Sequence, residues 1–251
     1  MDKKPTIIIG VLCVIALGLG YLSGLKDKRS SLTGDKHVQT TEKKEPEFLK
    51  QGLVAWYPFD GNASDMSGNG NHGTISGVTF GADQKGSPNK AGNFNGIDDE
   101  VNLGNGANLN PADGLSISAW VNATEIGTWM SVVERYTAQD GKRCYYLGIR
   151  DNGPAVFHVY HGGSSTNSTP VQTQESLQPR KWYFLVGTYH KDNGAHIFVD
   201  GSSKAFTQGN QTIQQRMENT YISGYLSKTH KFFKGSIDNV RIYNRALSEA
   251  E

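Results

Sequence analysis

Hydrophobic and polar positions divide the chain into three stretches with different periods. Thr6 to Leu25 (TIIIGVLCVIALGLGYLSGL) is one unbroken apolar run without a charge, about the twenty residues an α-helix needs to cross the hydrocarbon of a bilayer. From Lys26 to Lys50 neither period 3.6 nor period 2 is present, and seven Lys/Arg mix with five Asp/Glu among Ser, Thr and Gly, the pattern of a solvated spacer. From Gly52 onward short apolar runs alternate with Gly, Asn and Asp. The runs predict strands at Leu53–Phe59, Thr74–Phe80, Leu115–Val121, Met130–Tyr136, Tyr145–Ile149, Ala155–Tyr160, Trp182–Tyr189, Ala195–Asp200, Tyr221–Leu226 and Ile237–Tyr243, with no helical stretch in competition. Asn152-Gly153 and Asn193-Gly194 each fall between two runs and predict antiparallel hairpins with primed turns, which need positive φ. In LSISAWV, Leu115, Ile117, Ala119 and Val121 share one face and Ser116 and Ser118 the other, so this strand is expected to be half exposed. WYFLVGTY is apolar on both faces and is expected at the centre of a sheet, with its second face covered. About a dozen antiparallel strands without a disulfide suggest an all-β, two-sheet jelly-roll sandwich.

Composition narrows the function classes. A chain of 251 residues with 36% hydrophobic content can bury a real core. Lys+Arg 25 against Asp+Glu 24 leaves a net charge of +1, and no basic stripe is present, so a nucleic-acid partner is not expected. Of the two cysteines, Cys13 lies in the apolar run, and Cys144 is expected as a buried thiol.

Residues 1–25 are read as a membrane anchor or signal sequence, 26–50 as a disordered charged linker and 51–251 as the folded domain. Lys3 and Lys4 supply a basic n-region, and Gly18 and Gly20 could serve a signal-peptidase site. Run length favours an uncleaved anchor. Cys13 follows Leu12 and does not match a lipoprotein cleavage box. Lys26, Lys28 and Arg29 outnumber the two lysines before the run, which weakly opposes an N-terminus-in orientation. The expected location is the cell envelope with the domain outside the cytoplasm, or secretion after cleavage.

Five ordered segments resemble a known family: GLVAWYPFDGNASDMSGNGNHG (Gly52–Gly73), FNGIDDEVNLG (Phe94–Gly104), LSISAWVNA, KWYFLVGTYHKDNGAHIFVDG (Lys181–Gly201) and GSIDNVRIYNRALSEAE (Gly235–Glu251). They are similar to the laminin G-like, concanavalin A-type jelly-roll domain of bacterial surface and secreted proteins. That resemblance implies two packed antiparallel sheets, an extracytoplasmic place, frequent calcium, and a role in carbohydrate or protein binding. It does not imply one ligand.

Asp65, Ser67, Asn69 and Asn71 place oxygen-bearing side chains at alternate positions, with Gly70 at the sixth place, like the first half of an EF-hand-type loop. Position twelve is Ser76 rather than Glu, so a bound Ca²⁺ needs a carboxylate from elsewhere. Asp60 and Asp238 are the candidates, with Asn62 as a further oxygen donor. The resemblance puts Asp238 near the loop after FDGN, and the ion's role is expected to be structural. A plain long turn is the competing reading. His158, His161, His190 and His196 follow no tight zinc spacing, and His72 is expected to orient the loop by hydrogen bonding.

No nucleophile elbow or phosphate loop is present, and Glu134 and Asp238 are single acids on their strands. An enzyme is not expected, although acids from separate strands could converge. For a sugar, aromatic rings and amides near loops are the expected contacts, and Trp129, Tyr136, Tyr160, His161 and Tyr225 are the candidates, of which one or two should touch ligand. Trp56, Trp120 and Trp182 are read as packing. The polar stretch Gly162–Gln178 is long for a hairpin connection. The expected function is carbohydrate recognition by a binding module; the rivals are adhesion to a cell-surface protein and a divergent polysaccharide-degrading enzyme.

Overall fold

In the computed structural model the described residues are 46–136, 143–162, 166–224 and 230–251. The apolar segment 6–25 and most of the spacer lie outside them, and no helix among the described residues is long and apolar enough to cross a membrane. The last residues assigned to the spacer, Glu47–Lys50, form a 3-10 turn instead. They are held there by the Arg245 guanidinium, which donates to the carbonyls of Phe48 (3.1 Å) and Gln51 (2.8 Å).

The strands are β1 (Leu53–Tyr57), β2 (Thr74–Ser76), β3 (Thr79–Gly81), β4 (Ala91–Asn95), β5 (Glu100–Gly104), β6 (Gly114–Ala123), β7 (Trp129–Tyr136), β8 (Arg143–Ile149), β9 (Pro154–Tyr160), β10 (Ser168–Ser176), β11 (Tyr183–His190), β12 (Gly194–Val199), β13 (Ser202–Thr207), β14 (Thr220–Ile222), β15 (His230–Lys231) and β16 (Lys234–Tyr243). They build two eight-stranded sheets. Sheet A runs β13-β12-β11-β6-β16-β4-β3 with β1 on β16, and sheet B runs β10-β9-β8-β7-β14-β5-β2 with β15 on β7. Pairing is antiparallel except between β15 and β7. The first and last strands lie side by side, Tyr57 opposite Val240. This is the all-β sandwich read from the sequence.

Alternation decides which side chains form the core. Leu115, Ile117, Ala119 and Val121 of β6 meet Leu147, Phe157 and Val159 of the opposite sheet in one cluster. Cys144 is buried there, and burial pushes its thiol up to about 11, so it is an inert, protonated filler. Ser116 and Ser118, expected at a solvated face, are buried as well. The chain after β16 folds back over sheet A, where the Ser116 hydroxyl donates to the Arg245 carbonyl (2.8 Å) and accepts from the Leu247 N–H (2.8 Å). The same segment, with Phe198 and Tyr243, borders a cleft beside Phe184 and Val186, so it supplies the cover that the doubly apolar β11 requires.

Three further departures have local causes. The run Thr74–Phe80 is two strands in different sheets, because Gly77 (φ 76°) turns the chain between them. Both hairpins form, yet in each Asn-Gly pair the glycine alone adopts positive φ, Gly153 at 104° and Gly194 at 83°. Gly153 donates to the Arg150 carbonyl (3.0 Å) and closes a type I turn followed by a left-handed glycine rather than a primed turn. The stretch Gly162–Gln178 holds β10, in which Thr169, Val171 and Thr173 point inward. Threonine serves there as a β-branched core residue, and an edge strand tolerates Pro170.

The sheets approach closely at Gly187, where an added Cβ would collide with the Phe157 ring. Gly187→Ala is expected to destabilise the domain by about 1–3 kcal/mol through overpacking, read as a lower denaturation midpoint with an unchanged slope. No loss of stability would mean that the two sheets can separate locally without cost.

Candidate functional site

The outer face of sheet B carries a cluster of aromatic side chains separate from the core. Because Tyr145 and Leu147 point inward, Tyr146 points outward, and register carries that row across His158 on one side and Glu134 and Tyr221 on the other. Trp129, Tyr146 and His158 form a triangle, with ring centroids 6.4 Å (Trp129–Tyr146), 6.3 Å (Tyr146–His158) and 6.3 Å (Trp129–His158) apart, and Tyr160 adjoins it 5.9 Å from His158. The Arg150 guanidinium lies 4.6 Å from the Trp129 ring centroid and Arg143 lies 5.7 Å from that of Tyr160, within the range of cation–π attraction. Tyr146 and Tyr160 are buried in this layer, while Trp129, His158, Arg143 and Arg150 are half-buried. The Tyr146 hydroxyl is anchored on the Met130 carbonyl (2.7 Å) and Arg150 donates to Gln172 Oε1 (2.6 Å).

Of the sequence candidates, Trp129 and Tyr160 stand on this face. His161 does not: it is buried, with Nδ1 2.9 Å from the Thr212 carbonyl and Nε2 2.9 Å from Thr169 Oγ1, a packing role. Tyr225 and the side chain of Tyr136 lie outside the described residues. Tyr146, His158, Arg143 and Arg150 were not singled out for a ligand. The signal existed, because counting outward from the Asn152-Gly153 turn sets Tyr146 opposite His158. Trp56 and Trp120 pack on the outer face of sheet A, under Arg241 (4.6 Å) and beside Phe184 (5.3 Å) respectively.

Glu134 belongs to the same outer row but is only 1% exposed. Burial raises its pKa well above the usual carboxylate range, and the neighbouring Glu100 adds to the rise. Glu100 is half-buried, with its own pKa raised by burial. The two acids therefore converge from separate strands, β7 and β5. A Cβ added to Gly224 would strike Glu134 Oε1, so backbone closes over that carboxyl.

The calcium candidates fall into two groups. Asp65 lies at the centre of a closed turn: Oδ1 accepts from the N–H groups of Trp56 (3.0 Å) and Ser67 (2.8 Å), and Oδ2 from Asn71 N–H (2.9 Å). Burial alone would raise its pKa, and hydrogen bonds from Ser67, Trp56 and Asn71 overcome this and hold it below the ordinary value. Ser67 Oγ donates to the Val54 carbonyl (3.2 Å), Asn69 to Leu53 (2.9 Å) and Asn71 to Val54 (2.7 Å), so these side chains staple the turn to β1. His72 Nδ1 accepts from Asp65 N–H (3.2 Å), the orienting bond read from the sequence. Asn62 closes a small exposed turn through Ser64 N–H (2.8 Å).

Asp238 is in a different environment. It is 1% exposed, Oδ2 accepts from Asn239 (3.1 Å), and Oδ1 has no hydrogen-bond partner. Burial pushes its pKa up to about 6; bonds from Asn239 oppose the rise, and the charges of Asp83 and Asp60 add to it. Asp60 pairs with Lys90 (2.8 Å). Phe59, Asn89 and Asn239, each adjacent to one of these residues, hold positive φ of 52°, 58° and 48°, a local strain that packing must maintain. Among the described residues no three His, Cys, Asp or Glu side chains are grouped to hold a metal ion.

Comparison with known proteins identifies the class. The chain belongs to the concanavalin A-like lectin/glucanases superfamily, whose laminin G-type profile matches residues 94–251. No curated protein matches the sequence. Similar solved structures include domain 4 of AbnA, a GH43 extracellular arabinanase from Geobacillus stearothermophilus, in complex with arabinotriose (TM-score 0.64, 21% identity, 79% of this chain and 95% of that one). The binding domain of Paraclostridial Mosquitocidal Protein 1 is also similar (TM-score 0.64, 15% identity, 80% and 51%). So is a chain of botulinum neurotoxin type C, whose cell entry depends on interaction with two ganglioside molecules (TM-score 0.59, 12% identity, 81% and 50%). This chain spans about half the length of those toxin chains, and the likeness at such identities is one of fold.

Two carboxylates in opposite environments should respond oppositely to substitution. Asp65→Ala leaves three backbone N–H groups without their acceptor and is expected to cost about 3 kcal/mol or more. Because the folded pKa of Asp65 is depressed, its contribution is present above the unfolded value of about 4 and is lost as pH falls through the folded one. Asp238 runs the other way. In metal-free protein its raised pKa makes stability decline by about 3 kcal/mol as pH rises from about 4 to 6. Asp238→Asn should flatten that decline in a pH series of urea midpoints with chelator present, and an unchanged slope would show that the carboxyl is not desolvated.

Proposed function

We propose that the domain is an extracytoplasmic carbohydrate-binding module, held at the membrane by residues 6–25 or secreted after their removal. The observation that carries this reading is the aromatic cluster of Trp129, Tyr146, His158 and Tyr160 on the outer face of sheet B, bordered by Arg143, Arg150 and Gln172. A sugar ring presents apolar C–H faces and a rim of hydroxyls, so the half-buried rings of Trp129 and His158 beside fixed polar donors suit it. The similar domains that bind arabinotriose or gangliosides support the same reading.

Binding rather than hydrolysis is the activity proposed. Among the described residues the acids Glu134 and Glu100 favour an enzyme, and glycoside hydrolysis requires both carboxyls to reach the scissile bond. With Glu134 1% exposed, a substrate would have to displace backbone to reach it.

A structural Ca²⁺ at Asp238 is part of the proposal. The buried Oδ1 without a partner, next to the charges of Asp60 and Asp83, fits a hard oxygen-seeking cation. Backbone carbonyls and water would complete the six to eight ligands. When bound, the ion would neutralise Asp238 and fix the loops before β2 and after β3 against the last strand. The Asp65 turn is already saturated by hydrogen bonds and takes no part.

Trp129→Ala should lower glycan affinity by about tenfold, the loss of one stacked ring, in a protein that still unfolds cooperatively, at a lower temperature because Trp129 packs on Tyr146; full binding by this variant would move the site off sheet B. Calcium at 100 times its dissociation constant should add about 2.7 kcal/mol to the stability of the unmutated protein. Asp238→Asn should abolish that gain and Asp60→Ala reduce it. A melting temperature indifferent to calcium in a metal-stripped preparation removes the ion from the proposal.

A further inference from the structure

We infer that the outer face of sheet A carries a second binding site, a cleft between β11 and the C-terminal segment that takes a neutral sugar ring. The ligand class rests on the carbohydrate reading. The site rests on sheet A alone and shares no residue with the aromatic cluster of sheet B.

Ser116, Ser118 and Thr188 are neighbouring hydroxyls on β6 and β11, and all three residues are more than nine-tenths buried. A hydroxyl at that depth requires a partner. The C-terminal segment satisfies Ser116 through the Arg245 carbonyl and the Leu247 N–H. It passes Ser118 and Thr188 by. Among the described residues neither of these hydroxyls is hydrogen-bonded, and both residues line the same cleft. Neither hydroxyl is sealed from solvent, so a bound molecule can reach them. Ser118 stands opposite Val186 and Thr188 opposite Ser116, which makes the two diagonal neighbours about 7 Å apart. One ring with its substituents can hydrogen-bond both.

Size and lining give the ligand's character. The cleft holds about 190 Å³, less than the roughly 300–1,000 Å³ of sites for drug-sized ligands, and is room for a single ring. Phe184, Val186 and Phe198 supply half-buried apolar surface beside the two hydroxyls. Apolar rings flanking fixed hydroxyls suit a molecule with C–H faces and a hydroxyl rim. A purely apolar ligand would leave Ser118 and Thr188 unpaired beneath it, the costly outcome for a buried polar group. A second cleft of about 270 Å³ adjoins along β12, sharing Thr188, Phe198 and Glu249 and adding Asn193 and His196. A chain of sugars can therefore continue past the first ring.

Charge favours a neutral sugar over an acidic one. Glu249 stands exposed at the rim, in no ion pair among the described residues. The Glu251 carboxyl is already engaged by Arg245 (2.6 Å) and by the Ser248 hydroxyl (2.9 Å). Arg241 also borders the cleft, but its guanidinium is laid over the Trp56 ring (4.6 Å). Burial lowers the pKa of His196 while the Glu249 charge opposes the drop, so at neutral pH the imidazole does not cancel that charge. A free carboxylate at the rim accepts hydrogen bonds from sugar hydroxyls and repels an anion.

The test is an array of neutral oligosaccharides of the arabinan, galactan, glucan and mannan series probed with the full chain, followed by calorimetric titration of the strongest binder. Two sites per chain are expected. Thr188→Val keeps the side-chain shape and removes the hydroxyl; in a protein that still unfolds cooperatively it should weaken one site at least tenfold, about the loss of one buried hydrogen bond, and spare the other. Ser118→Ala should act in the same way, Thr188→Ser should retain binding, and Trp129→Ala should weaken the other site. At the sheet A site a uronate should bind more weakly than its methyl ester, with the gap closing in Glu249→Gln. A single site that Trp129→Ala weakens and Thr188→Val spares overturns this inference and leaves carbohydrate recognition on sheet B standing. A single site with the opposite pattern upholds it and removes the site from sheet B. Two sites that both ignore Thr188→Val and Ser118→Ala overturn it, as does a uronate bound as well as its ester at the sheet A site. Binding to no glycan overturns both readings.

Discussion

Close face-to-face packing of two sheets is the constraint from which the rest of this structure follows. Gly187 against the Phe157 ring marks the separation at which no side chain fits between backbone and ring. At that distance the inner faces accept only residues that interdigitate, and they take Leu115, Ile117, Leu147, Val159 and their neighbours. Residues that alternate with them, such as Trp120, Glu134, Tyr146 and His158, point to the two outer faces. The chemistry of the domain is therefore the chemistry of what each outer face was left with, and of what covers it.

The two faces are resolved differently. Sheet A is closed in part by its own chain: the segment after β16 returns across Ser116 and is clamped by the Arg245–Glu251 pair (2.6 Å). That pairing holds the Glu251 carboxyl down at about 2. On sheet B the aromatic residues of β7, β8 and β9 cover one another, with arginines laid over Trp129 and Tyr160. The segment after β16 covers part of sheet A, whereas on sheet B the half-buried Trp129 and the Arg150 guanidinium, which no carboxylate among the described residues pairs with, still offer contacts. This contrast, more than any single residue, is why the main recognition face is assigned to sheet B.

Asp65 and Asp238 make the same point about carboxylates. Both are buried acids near β1 and its partner β16. Three backbone N–H groups solvate Asp65 and keep it ionised, whereas Asp238 has an oxygen without a donor and the charges of Asp60 and Asp83 beside it. A turn rich in Asp, Asn and Gly reads as a metal loop in the sequence because both structures need oxygen atoms at alternate positions. Which atoms the oxygens face decides between them, and in this turn they face the chain itself.

Much of the architecture was legible in the residues. Period 2 in LSISAWV, the Asn-Gly turns and the ordered motifs from Gly52 to Glu251 determined the strands, the hairpins and the sandwich, because those signals depend on neighbours in the chain. The edge strands β10 and β13 were missed, since Thr and Ser at inward or edge positions carry no hydrophobic contrast. The proposed site was half legible: Trp129 and Tyr160 stood out by position, whereas Tyr146, His158 and the two arginines became one surface only through the register of β7, β8 and β9. The convergence of Glu134 with Glu100, and of Asp238 with Asp60 and Asp83, had no sequence signal at all. Local periodicity fixes the direction in which a side chain points; only the packed sheets decide what it meets there, because burial and charge pairing act through space between strands far apart in the chain.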